Sequence, residues 1–166
     1  MLQPLRGGTW APKGHTPIQH PWARHDRLSV VGALTLPPCR HRIGLHCDVR
    51  KGNVHGSELA EFLRELHRHL QRRLILVCDR YRVHHSAARQ LRGAGAMWID
   101  VEWLPSYAPD LNPVEAFWNH TKRVDLAGFI PNDLNELHTA LLKSIESERT
   151  NPELKRSFFE FAGLDL

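Results

Sequence analysis

Apolar positions recur along the chain with two different spacings, and the spacings place the elements. Leu28 to Leu36 (LSVVGALTL) is apolar and β-branched and ends at Pro37-Pro38, which predicts a strand. Ile43 to Val49 (IGLHCDV) predicts a second, with Lys51-Gly52-Asn53 turning the chain after it. The short proline-containing link between the two points to an antiparallel hairpin. From Ser57 the spacing changes. Leu59, Phe62, Leu63, Leu66 and Leu70 form the stripe of an amphipathic helix, with Ser57 as its N-cap. Leu74 to Cys78 (LILVC) is a short unbroken apolar run, the pattern of a strand buried on both faces. A short helix over about Ser86 to Leu91 stops at Gly93 and Gly95, and Met97 to Leu104 predicts another strand. Asn112-Pro113 reads as an N-cap followed by proline at the first helical position. Asp133-x-x-Glu136 is capping-box-like and opens a stripe of Leu134, Leu137, Leu141 and Ile145. Strands alternating with helices imply parallel crossovers. The predicted fold is therefore α/β, with a mixed sheet (an antiparallel hairpin plus parallel strands) flanked by helices. Residues 1–26, rich in Pro, Gly and His, read as an extended lead-in, and 130–166 as a C-terminal helical extension of the same domain.

Composition narrows the class. A chain of 166 residues, 42% hydrophobic and 24% charged, has room for one domain and is not disordered, collagen-like or a coiled coil. The net charge of +4 conceals an asymmetry. Residues 1–100 hold 16 basic and 7 acidic side chains, a net of +9, and residues 101–166 hold 6 and 11, a net of −5. Arginine makes up 17 of the 22 basic residues, which points to a polyanionic partner or to a GC-rich genome that favours Arg codons. No apolar run approaches the roughly 18–20 residues of a membrane span, and the first residues lack a signal-peptide pattern. Three Cys without CxxC spacing argue against a disulfide framework, so a reducing, cytoplasmic location is expected.

Two carboxylates stand out, each with a second reading. Asp79 follows five apolar residues directly, at the strand edge where α/β sheets collect ligands. A carboxylate there is costly to bury unless it meets a cation or a hydrogen-bond donor. Alternatively it caps the next turn. Glu115 lies three residues after Asn112, where it can reach back to the N-cap amide. It also shares a helix face with Trp118, Asn119 and Lys122, a mixed polar surface. Cys39, His41, His46 and Cys47 fit no standard zinc spacing, and His67 and His69 are two apart on a helix and do not converge. Trp98, Trp103, Phe117 and Trp118 are read as core in preference to a base-stacking platform. Arg64, Arg68, Arg72, Arg73, Arg80, Arg82, Arg89 and Arg92 fall in 29 residues that hold only Glu65 and Asp79 as acids. They form a solvated face or a set of phosphate contacts.

The run Leu104 to Trp118 (LPSYAPDLNPVEAFW) resembles the C-terminal catalytic signature of the DDE superfamily endonucleases, specifically bacterial insertion-sequence transposases of the mariner-like superfamily. Leu76-Val77-Cys78-Asp79 with His84 resembles the family's Asp-x-x-x-x-His element. Trp10-Ala11-Pro12-Lys13-Gly14-His15-Thr16-Pro17 resembles its Trp-Ala-Pro segment, and the 35 residues between Asp79 and Glu115 are close to its spacing. The resemblance runs from about residue 9 to about residue 125. It implies an RNase H-like fold and metal-dependent cleavage and strand transfer in DNA transposition. Asp79 and Glu115 would be catalytic ligands of Mg²⁺ or Mn²⁺, with His84 and Asn112 as secondary site residues. Arg64, Arg68, Arg72, Arg80, Arg82 and Lys122 would contact DNA, the partner being transposon ends and target. A nucleoid-associated location in a bacterial cytoplasm is expected with it, with no membrane partner; a homodimer is compatible with it, and the sequence does not fix the oligomeric state. Phosphodiester chemistry suits the residue types, since two hard cations about 3.5–4 Å apart need few convergent carboxylates.

The chain also departs from the family pattern. The family's first catalytic Asp lies on a first, central strand upstream of the Trp-Ala-Pro segment, and here only Asp26 and Asp48 are acidic before residue 57. The first central strand and one member of the acidic triad are therefore expected to be missing, as is the N-terminal helix-turn-helix region. The chain alone is expected to be inactive. The alternative is a non-catalytic DNA-binding or dimerising remnant. Arg80 stands where many relatives have Asn.

Overall fold

The computed structural model describes Pro12, Lys13, His15 and residues 27–166. Asp26, nearly all of the lead-in and most of the Trp10–Pro17 run lie outside the described residues. β1 (Leu28–Thr35) and β2 (Gly44–Lys51) form the expected antiparallel hairpin, in register from Leu28 opposite Lys51 to Thr35 opposite Gly44. β3 (Leu74–Cys78) and β4 (Ile99–Trp103) pair in parallel, Leu74 beside Ile99 and Cys78 beside Trp103. Five helices surround them: α1 (Gly56–Leu70), α2 (Arg82–Gly93), α3 (Pro113–His120), α4 (Leu134–Thr150) and α5 (Pro152–Phe161). This mixed α/β arrangement is consistent with an RNase H-like fold. No helix among the described residues is long and apolar enough to cross a membrane.

The sheet comes in two pieces, because no hydrogen-bonded ladder joins the hairpin to the parallel pair. One helix layer spans both pieces. Leu59, Phe62 and Leu63 of α1 and Ala87 and Leu91 of α2 pack with Val31 and Ala33 of β1, Leu76 of β3 and Ile99 of β4. The opposite face of the hairpin is covered by α3, α4 and α5. There Leu28, Leu45, Phe117, Leu141, Ile145 and Phe158 form a second core, with Val30, Leu34, Cys47 and Val49 against it. Alternation along β1 thus feeds both cores, as the pleat requires.

β3 corrects the expectation of burial on both faces. Leu76 faces the α1–α2 layer, but Ile75 is 74% exposed and Val77 57% exposed. An apolar run shows which side chains avoid water on average, not how many layers cover them; here α3 and α4 rest on β1 and β2 instead. Helix starts also move. Glu58 accepts from the His55 amide at 2.6 Å, so α1 begins at Gly56 with His55, not Ser57, as N-cap. α2 begins at Arg82, four residues before Ser86, because its first turn (Arg82, Val83, His84, His85) carries little apolar signal. Asn112 caps α3 by accepting from the Val114 amide, and Asp133 caps α4 by accepting from the Glu136 amide at 2.7 Å, both at predicted positions.

Two interactions fix α3. At Gly32 of β1 a Cβ would lie 3.0 Å from Trp118 Cζ2 and 3.3 Å from Phe117 Cε1, so the missing side chain lets the helix sit close on the sheet. Behind α3, a π-helical turn (Thr121–Asp125) leads to a buried polar cluster. His120 Nδ1 lies 3.0 Å from Glu148 Oε1 on α4, and the Thr121 hydroxyl lies 3.1 and 3.3 Å from the two Glu148 oxygens. Glu148 is 0% exposed. Burial pushes its carboxyl up to about 7; hydrogen bonds from His120 and Thr121 oppose the rise and the Asp125 charge adds to it.

Both interactions are testable. Gly32→Val forces the Phe117 and Trp118 rings off the sheet and is expected to cost about 1–3 kcal/mol in chemical denaturation. Gly93→Ala, where a Cβ meets nothing within 4 Å, is expected to be neutral or stabilising. A raised carboxyl pKa means the folded state holds its proton longer than the unfolded chain. The Glu148 contribution is therefore full below the unfolded carboxylate range, falls as pH rises towards about 7, and is level above it. Thermal melts across that interval should show the decline, and Glu148→Gln should flatten it and melt above wild type at pH values beyond 7.

Candidate active site

Asp79 stands one residue past the carboxyl end of β3, where the chain turns into α2. Its Oδ1 accepts from the Tyr81 amide at 2.9 Å and lies 2.6 Å from His84 Nδ1. The turn-capping reading and the proximity of His84 therefore hold together: one carboxylate oxygen is engaged by both. Oδ2 has no hydrogen-bond partner among the described residues. His84, in the first turn of α2 and half-buried, also lies 3.2 Å from the Asp79 carbonyl, which fixes its ring. Burial and the neighbouring Asp79 charge push the Cys78 thiol up to about 11, so it stays protonated. Arg80 is exposed, and its Nε donates to the Leu104 carbonyl at 3.2 Å. It thereby ties the turn after β3 to the segment leaving β4.

That segment carries the second carboxylate. From Leu104 the chain passes Tyr107 and a 3₁₀ turn (Pro109–Leu111) and enters α3. Glu115 lies in the first turn of α3, half-buried. The capping-pair reading is not what the structure shows. The Asn112 amide donates to the Pro109 carbonyl at 2.9 Å, and the Asn112 side chain alone serves the Val114 amide at 3.3 Å. With the N-cap amide already satisfied, the Glu115 carboxylate makes no hydrogen bond or ion pair with any described residue. Asn112 therefore caps the helix and leaves Glu115 free. Trp118, one turn on, rests over Gly32 and sets the position of this helix on β1.

The donor chemistry of Asp79 and Glu115 suits a hard divalent cation, which takes carboxylate oxygens and keeps several waters. Asp48 lies within β2, opposite Val31, where it is engaged by Arg50 Nε at 2.6 Å, and Arg50 also pairs with Glu61 at 3.3 Å. Among the described residues, the one group of three side chains with ligand atoms within 4.8 Å of one another is His120, Asp125 and Glu148. Sequence reading passed over it, although Glu148 falls on the same helical stripe as Leu141 and Ile145, where a charge is anomalous. Its members already bond to each other, and Ser144 donates to Asp125 at 2.6 Å, so it serves as a tether between α3 and α4.

Of the expected DNA contacts, Arg64, Arg72 and Arg82 are exposed and make no ion pair with a described residue. Arg68 is exposed and lies 3.7 Å from Glu65, and Lys122 is half-buried in the π-helical turn. Tyr107 was not singled out from the sequence. It is fully exposed and holds φ at +60°, a left-handed backbone uncommon for an aromatic residue and costing of order 1–2 kcal/mol. Its place inside the LPSYAPDLNPVEAFW run was the available signal.

No curated protein and no solved structure matches the chain. A family of sequences does. The DDE superfamily endonuclease family matches residues 1–137, which takes in both strand pairs, Asp79, Glu115 and the start of α4. With most of its length covered, the chain belongs to the DDE superfamily endonucleases.

Proposed function

We propose that this chain is the catalytic region of a transposase of the mariner-like, bacterial insertion-sequence type. It would act in metal-dependent cleavage of DNA at transposon ends and in attack of the freed 3′-hydroxyl on target DNA. The observation that carries the reading is the pair of acidic groups with free oxygens, Asp79 through Oδ2 and Glu115 through its whole carboxylate, on the two segments that bear the motif. Bound there, Mg²⁺ or Mn²⁺ would activate the attacking oxygen and stabilise the leaving one. Asp79 and Glu115 hold the cation, His84 fixes the orientation of the Asp79 carboxylate, and Asn112 caps the helix that presents Glu115. The exposed Arg64, Arg72 and Arg82 contact phosphates, together with Arg68, Arg80 and Lys122. Two carboxylates are one short of the family's triad, so the 166-residue chain is proposed to bind DNA and to need a further carboxylate for cleavage. The second reading, a non-catalytic DNA-binding or dimerising remnant, is favoured by the same unpaired arginines.

Two measurements test this. Mn²⁺ titrated into the labelled protein should broaden the resonances of Asp79 and Glu115. Glu115→Gln should remove the effect, and His84→Ala should weaken binding about 10-fold. Broadening centred on His120, Asp125 and Glu148, or none at all, refutes the ligand assignment. In a gel assay with Mg²⁺, the chain should retard supercoiled plasmid in a salt-sensitive way without nicking it. Nicking abolished by Glu115→Gln would instead show that these residues suffice on their own.

A further inference from the structure

A second cluster of basic side chains is built from residues other than the arginines of α1 and α2. An open groove of about 550 Å³ runs between the β1–β2 connection and the junction of α4 with α5. Arg40, Arg42, Arg149, Lys155 and Arg156 line it, against a single acid, Glu153. The cations come from segments more than a hundred residues apart and are brought together by packing: Arg149 Nε donates to the Leu45 carbonyl of β2 at 3.2 Å.

Few of these charges are compensated from within. Arg149 pairs with the exposed Glu146 at 2.8 Å, one turn back on its own helix. Arg40 and Arg42 form no ion pair with any described residue. Lys155 is only 9% exposed, and its ammonium donates to a neutral group, the Arg149 carbonyl, at 2.7 Å. Burial, with the charges of Arg42 and Arg149, lowers its proton affinity, the mark of a cation held among cations. Lys155 lies on the buried stripe of α5 with Phe158 and Phe159, so packing holds it there despite the repulsion. A multi-oxygen anion relieves such a cluster, and arginine forks match phosphate oxygens in particular. The groove is larger than one phosphate and open along its length, which suits a continuous backbone.

We infer that this groove seats the phosphodiester backbone of duplex DNA, as a contact surface separate from the α1–α2 arginines. The inference rests on the reading that the chain handles DNA. It enlarges the DNA footprint and uses residues of the half that is acidic overall.

Fluorescence anisotropy of a labelled short duplex across a salt series tests it. Arg40→Gln/Arg42→Gln, both on an exposed loop, should weaken binding about 10-fold and lower the slope of log K against log salt by roughly two, near 0.9 per lost phosphate contact. Glu153→Gln, which removes the one acid, should tighten binding about 2–5-fold, a gain that misfolding cannot mimic. Unchanged affinity and slope in these variants, with Arg64→Gln/Arg72→Gln weakening binding, overturns the groove and leaves the function standing. A wild-type chain that binds no duplex at low salt overturns both. Pyrophosphate that saturates the groove resonances while the arginine variant binds DNA normally assigns the site to free phosphate and overturns the proposal.

Discussion

Because Gly32 carries no side chain, the rings of Phe117 and Trp118 can settle on the middle of β1, and α3 packs lower on the sheet than any other residue there would allow. Phe117 is wholly buried between that strand and Phe158 of α5, 6.2 Å from its ring centre. The same contact therefore seats α3, anchors α5 and fixes the depth of Glu115, one turn before Trp118. On the far side, Thr121 and His120 bind Glu148 and draw α4 against the end of α3. A half-exposed carboxylate is positioned by packing and buried hydrogen bonds that it does not itself join. Its own lack of partners is what leaves it free for a ligand.

Asp79 is held by a different device. Its turn is short, and its Oδ1 both completes the entry into α2 and meets His84. Arg80 then ties this turn to Leu104, at the start of the segment that ends in Glu115. The carboxylates thus belong to opposite supports: Asp79 to the α1–α2 layer through His84, Glu115 to the α3–α5 layer through Trp118. The sheet that lies between these layers is itself in two pieces, so relative placement of the two carboxylates depends on Arg80 and on the α1–α2 layer that spans both strand pairs.

Local rules made most of this legible. The stripe of Leu59, Phe62, Leu63 and Leu66 is buried as its spacing requires, and Asn112 and Asp133 cap where their residue types and neighbours indicate. What could not be read depends on contacts distant in sequence. Whether Ile75 and Val77 are covered is decided by where α3 lands, more than thirty residues later. Whether Glu115 turns back to cap its helix depends on the Asn112 amide having already been taken by Pro109, in a 3₁₀ turn with no periodic signal. Glu148 and Lys155 are charges on apolar stripes that the sequence alone did not single out, and only the fold shows that one is met by donors and the other by more positive charge.

That last difference explains how a chain split into a basic and an acidic half presents its charge. The acids of the second half are not all free at the surface: Glu148 is buried against His120 and Thr121, Asp125 accepts from Ser144, and Glu136 is used at the start of α4. With Glu148 buried and Asp125 and Glu136 engaged locally, Arg149, Lys155 and Arg156 meet Arg40 and Arg42 across the hairpin end. Net charge along the sequence thus misstates how charge is placed at the surface, because folding buries Glu148 while the arginines of the groove keep their heads at its rim. Basic side chains thus gather on α1 and α2 and again along the groove, and the half with a formal excess of acids supplies three of the five cations that line the groove.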